Sequence, residues 1–501
     1  MTTISAFVNR ATLTSQLITD MRRQLDELQR QLATGKRATT YAGLGIERGL
    51  DVELRLRLSR LDNYQSTIQI VDLRVNLLNT ALERLRGLAV ETRADARSPL
   101  AFDLVANGQT VAQRSAGVRL GEGLSLLNEK AGERYLFSGR AGDRPAAATS
   151  GRILDGDGAH AGLRQIIAER LQADQGATGR GRLLTPVAAG SVVTLVEDGI
   201  HPFGFKLASA TSNFGAVIAG PVGSPASLDI DVGAANPPDG GRVSVRLTLP
   251  DGSTVNIELE ATSEVPPPAG KFGIGATVDD TAQNLAGALN QSIQVLARTE
   301  LAAASAMQAG DDYFSIDADN LPQRVDGPPF DTATALRDGT AVDTLFWYTG
   351  DDATDNARQT SIARVDDAIV IAYGARANEE GIRHAVQNIA VFAAMTFSDS
   401  DPDARDRYAA LLDRVGTALS PPAGVQRLEA IQTEIAGAKL AADAAGERLA
   451  DRKPVLQGML DEIESVSIEE VGAMLLQLNT RFQATLQTTA MLSRFTLLNY
   501  L

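Results

Sequence analysis

A chain of 501 residues is too long for a single hydrophobic core, so two to four domains are expected. A net charge of −15 excludes the basic footprint of a nucleic-acid or anionic-membrane partner, and the lack of cysteine excludes disulfides, thiolate metal sites and thiol nucleophiles. Aromatic residues make up only 5%, too few for a ring-lined apolar ligand pocket.

The first 140 residues read as helix. Leu17, Met21, Leu25, Leu28 and Leu32 recur at spacings of four and three, which makes one apolar stripe. Gly35 in "TGKR" ends that helix. A longer one follows, in which Leu61, Ile68, Val75 and Leu82 interleave with Tyr64, Val71, Leu78 and Leu85 as a heptad seam. A third helix is expected after Ser98-Pro99, through Val111, Val118, Leu120, Leu124 and Leu127.

From about 146 to 344 the helical period gives way to short alternating runs. Val243, Val245, Leu247 and Leu249 alternate with polar residues, Pro250-Asp251-Gly252-Ser253 turns, and Val255, Ile257 and Leu259 alternate back, as in a β-hairpin with one buried face. One amphipathic helix is expected within this stretch, carrying Leu285, Leu289, Ile293 and Leu296 behind a cap at Asp280. Helix returns with Leu428, Ile431 and Ile435, and Pro454 is expected to interrupt or restart it. Ser467 with Glu470 forms a capping-box signature ahead of a last helix. Its face is Val471, Leu475, Leu478, Phe482 and Leu486, followed by Leu492. The fold class expected is α+β: a discontinuous, coiled-coil-like helical bundle drawn from both ends, with a β-rich central insert.

Chemistry is hard to find. His160, His201 and His384 lie in three different regions, without the clustering a zinc site needs. "ATGKRATT" has Arg37 where a phosphate loop needs Ser or Thr, and Gly43, Gly45 and Gly49 have the wrong spacing for a dinucleotide turn. Asp399, Asp401 and Asp403 alternate as in a calcium loop, but Pro402 intrudes and Ala410 stands at the twelfth position. No catalytic residue, metal or cofactor is expected, and the chain is not expected to be an enzyme. No apolar run is long enough to span a membrane, and the first residues lack the pattern of a cleaved secretory signal.

The last nine residues, "SRFTLLNYL", stand apart. Burying Phe495, Leu497, Leu498, Tyr500 and Leu501 yields roughly 7 to 15 kcal/mol, while ordering the backbone costs about 1 to 2 kcal/mol per residue. One helix pair that half-buries them is insufficient, so other subunits are the expected supplier of surface.

Three motifs bear a resemblance. "QLATGKR" (31–37) resembles the turn after the first terminal helix of the flagellin superfamily, the axial proteins of the bacterial flagellum. "NEKAGERYLFSG" (128–139) resembles a helix-ending motif of that superfamily's hook–filament junction branch, the hook-associated proteins. The segment 476–501 resembles the last helix that junction proteins and flagellins share. "TTYAGLGIERGLD" departs from the acidic stretch usual in the family, so no contact of that loop is carried over.

The resemblance implies an inner-core domain from 1–34 and 467–501, a helical rod from 35–145 and 345–466, and an outward β-rich insert at 146–344. It implies a structural adaptor that joins hook to filament, self-associates in a ring, and meets neighbouring hook-associated and flagellin subunits. Export would proceed unfolded, with a flagellar chaperone and no cleaved signal peptide, to an extracellular location. The assembly residues are then Leu13, Leu17, Met21, Leu25, Leu28, Leu475, Leu478, Phe482, Leu486, Leu492, Phe495, Leu497, Leu498, Tyr500 and Leu501. The motif positions are Gly35, Lys36, Arg37, Tyr135, Phe137 and Gly139. A flagellin is the nearest alternative, and an enzyme or adhesin carried on the insert a remote one.

Overall fold

The computed structural model describes residues 2–98, 102–420 and 424–498, and of residues 2–12, 14, 106 and 492–498 the backbone alone. Helix accounts for 52% of the chain and strand for 15%, a mixed α+β architecture. In chain order the helices are α1 (Thr2–Thr34), α2 (Arg48–Arg97), α3 (Val111–Leu127), α4 (Ser150–Asp155), α5 (Leu163–Gln175), α6 (Val278–Arg298), α7 (Glu300–Phe314), α8 (Glu380–Ala394), α9 (Ala404–Ala418), α10 (Leu428–Glu464) and α11 (Ile468–Leu498). The hairpin β1 (Lys130–Ala131) and β2 (Arg134–Tyr135) follows α3. Between α5 and α6 lie β3 (Val187–Ala189), β4 (Val192–Val196), β5 (Lys206–Ser212), β6 (Val217–Val222), β7 (Ser227–Asp231), β8 (Arg242–Thr248), β9 (Thr254–Thr262) and β10 (Lys271–Gly273).

The chain divides into two compact units. The first comprises 1–70, 363–370 and 441–501, and the second 71–362 and 371–440. In the first, α1 packs along α11, and Arg55 of α2 pairs with Glu464 of α10. Ser467 caps α11 by accepting the Glu470 N–H at 3.2 Å, while its own hydroxyl donates to Glu469 at 2.9 Å. Of the α2 seam, Leu61 and Ile68 are buried in the first unit, and Val71, Val75, Leu78, Leu82 and Leu85 are buried in the second.

The second unit holds two four-stranded sheets, ordered β10-β9-β8-β5 and β3-β4-β7-β6. Their inner faces share one core with the apolar face of α6, where Leu285, Leu289 and Ile293 are fully buried. The hairpin has the expected register, from Arg242 opposite Glu260 to Thr248 opposite Thr254. Its turn closes with the Leu249 N–H donating to the Ser253 carbonyl at 2.8 Å.

Four expectations need correction. The stretch 146–344 holds four helices, not one. α7 escaped because Leu301 to Met307 is buried on every side, which leaves no polar face to set a period. α5 escaped because its buried residues include Glu169, Arg170 and Asp174. The cap of α6 is Thr277, with Asp280 as the reciprocal partner in a complete capping box. On α3, Val111 and Val118 face solvent, 64% and 74% exposed; Ala112, Gln113 and Ala116 join Leu120, Leu124 and Leu127 on the buried face. Finally, α10 runs through Pro454, held by buried Leu449 and Ile463 on either side of the lost ladder bond.

Candidate functional site

The antiparallel course of α1 and α11 follows from three contacts. The Val466 N–H donates to the Gly35 carbonyl at 3.1 Å, the Arg22 guanidinium lies 5.9 Å from the Phe482 ring centroid, and Leu28 shares a groove with Met474 and Leu478. Two helices bury only the seam between them. Met21, Leu25, Leu28, Leu475, Leu478 and Phe482 are accordingly half-buried, whereas Leu13 is 63%, Leu17 52% and Leu486 42% exposed. The groove, of about 580 Å³, is rimmed by Arg23, Glu27 and Arg481. Leu492, Phe495, Leu497 and Leu498 fall where only the backbone of α11 is described, and Tyr500 and Leu501 lie outside the described residues. Four exposed apolar residues of α11 went unnoticed in the sequence because they lie off the 3–4 stripe: Ile468, Met474, Leu476 and Met491.

Gly35 ends α1 with φ +66, and its N–H donates to the Gln31 carbonyl at 2.8 Å. That left-handed turn lets Lys36 bridge to Ser465, and it brings the Arg37 N–H to the Glu464 carbonyl at 2.6 Å. The Lys36 ammonium sits 3.9 Å from the Glu464 carboxylate, and Arg37 pairs with Glu47 at 2.5 Å. The three motif residues thus tie the α1 end to the α10–α11 junction.

Tyr135, Phe137 and Gly139 form a second joint, inside the second unit. The Lys130 ammonium lies 4.4 Å from the Tyr135 ring centroid, and Phe137 is fully buried. The Phe137 carbonyl accepts the Ala377 N–H at 2.8 Å, and the Gly139 N–H donates to the Ala375 carbonyl at 3.1 Å. Arg140 reaches Asp351 at 3.2 Å and also pairs with Asp355, which Arg376 binds as well. These two arginines, Arg140 foremost, hold the Asp355 carboxyl down at about 2.

The three histidines each have a local partner. His160 bonds Asp157 at 2.6 Å, His201 bonds Asp198 at 2.6 Å, and His384 bonds Asn388 at 3.0 Å, each in a separate surrounding. Buried charges are paired: Arg324 forks onto Glu169 of α5, and Arg170 binds Asp174 within α5 at 2.9 Å and Asp312 of α7 at 2.7 Å. Burial pushes the Asp174 and Asp312 carboxyls up, against the pull of Arg170. Among the described residues no three His, Cys, Asp or Glu are placed to hold a metal ion, and no helix is long and apolar enough to cross a membrane. No protein-family model matches the chain, and no curated protein sequence matches it.

Proposed function

We propose that this chain is a structural subunit of the bacterial flagellum, a flagellin-like adaptor that joins hook to filament through lateral packing of α1 and α11. One observation carries this proposal: the α1–α11 pair leaves Leu13, Leu17, Leu476 and Leu486 exposed. An isolated two-helix pair cannot cover apolar residues outside its seam, whereas neighbouring copies of the same pair can. Supporting it are the Gly35–Lys36–Arg37 turn, which joins the two helices, and the "RYLFSG" motif, whose Gly139 is held in a built joint. The chain would leave the cell unfolded through the flagellar export apparatus, escorted by a chaperone, and assemble as a ring that adjoins hook-associated and flagellin subunits.

Immunogold labelling of sheared flagella with an antibody to the 146–344 region tests this. Label confined to the hook–filament boundary is the expected result. Label along the whole filament makes the chain a flagellin, and its absence from flagella overturns the flagellar assignment altogether.

A further inference from the structure

The outer edge of β9 is open. β8 pairs with β9 over Thr254–Glu260, whereas β10 covers the opposite edge only at Glu260, Ala261 and Thr262. The Glu260 N–H turns to the β10 side, donating to the Gly270 carbonyl at 3.2 Å; the Ala261 N–H turns back to the Gly241 carbonyl at 2.7 Å. Alternation along an antiparallel strand therefore points the N–H and C=O groups of Thr254, Asn256 and Glu258 to the same side as those of Glu260. Among the described residues those three amides have no strand or side-chain acceptor on that side.

This edge lies in a groove of about 1220 Å³, walled by the Gln283 and Gln291 side of α6 and by the Pro267–Pro268 loop. Unpaired edge groups recruit an extended backbone, which adds at a spacing of about 4.8 Å. The charges select what that backbone carries. Lys271 and Arg298 in the groove are already bound by Glu260 and Asp403, while Glu258 and Glu264 form no ion pair among the described residues. At the Thr254 end a second cavity, of about 630 Å³, adds Asp311 and Asp413, equally without ion pairs. Arg246, which donates to the Asn256 Oδ1 at 3.1 Å, is one cation against these four carboxylates, so the residual field is acidic.

We propose that Thr254–Glu258 is a strand-addition site for an extended, basic segment of a partner protein. A second copy of this chain is a poor occupant, because it would bring two acidic rims together in a protein of net charge −15. The site belongs to the second unit and does not depend on the flagellar assignment.

The test uses the full chain and a synthetic peptide of about eight residues that alternates valine and lysine. Hydrogen exchange at the Thr254, Asn256 and Glu258 amides is expected to slow at least about tenfold when the peptide saturates. Asn256→Pro removes one outward N–H and no backbone bond to β8, although it also removes the bond that the Arg246 side chain of β8 donates to the Asn256 Oδ1, so it is expected to abolish that slowing. Glu258→Lys is expected to weaken binding about tenfold. If Asn256→Pro loses the fold, a peptide N-methylated at alternate amides makes the same test from the other side, and is expected not to bind. The proposal is overturned by unchanged exchange at the three amides, by equal binding of a valine–glutamate peptide, or by slowing that survives both the proline variant and the methylated peptide. Slowing in the free protein that grows with its concentration overturns it in favour of self-pairing.

Discussion

The Val466 amide donates to the Gly35 carbonyl at 3.1 Å, which fastens the end of α1 to the start of α11. Gly35 adopts φ +66, and a Cβ built there meets nothing within 4 Å. Only backbone conformation then resists substitution. Gly35→Ala is expected to lower stability by about 1 to 2 kcal/mol, the cost of a left-handed alanine. Urea unfolding followed by helical circular dichroism measures it.

Gly139 is constrained twice. Its φ is +61, and a Cβ there would come within 2.8 Å of the Asp351 Cβ and 3.2 Å of the Arg376 Cγ. Gly139→Ala is expected to cost more than Gly35→Ala, by a further 1 to 3 kcal/mol or so for overpacking. Equal losses at the two positions in the same urea titration would contradict the close approach.

Leu17 is 52% exposed on α1. Leu17→Asp is expected to leave the stability of the isolated chain within about 0.5 kcal/mol, as exposed positions generally do, and to abolish motility. Swimming at the normal rate, with normal protein levels, counts against assembly through this face.

Leu285 is fully buried where α6 meets the two sheets. Truncation to alanine is expected to cost about 2 to 5 kcal/mol, the usual range for a core leucine. Thermal unfolding of the variant measures the loss.

His384 on α8 gives the protein a pH dependence whose sign can be worked out. Burial pushes its imidazole pKa down; Asp311 pulls it back up, and Arg383 adds to the fall. The unfolded chain titrates near 6.5. As pH falls through about 6.5 the unfolded state takes up a proton that the folded state still refuses, so stability present above that pH is lost below it. His384→Gln is expected to reduce the drop in urea midpoint between about pH 7.5 and pH 5.5. An unchanged drop would falsify the assignment to this residue.

Deleting 493–501 bears on the tail. It is expected to leave the sheet core intact, as read by thermal unfolding, while the truncated chain fails to enter flagella.

Period and turn chemistry by themselves determined the long helices, the β8–β9 hairpin and the Gly35 stop. Each is a local pattern: a heptad of Leu61 through Leu85, an alternation around Pro250–Ser253, a glycine free to take positive φ. Only the tertiary structure decided which of those faces is covered. Val118 belongs to the expected stripe of α3 yet faces solvent, and Leu301 to Met307 of α7 is buried all round with no stripe to announce it. Burial depends on what packs against a residue from far along the chain, as Glu169 and Arg324 do in pairing within the core. The exposed leucines of the α1–α11 pair and the open edge of β9 are decided in the same way, because a surface is free only when no other segment arrives to cover it.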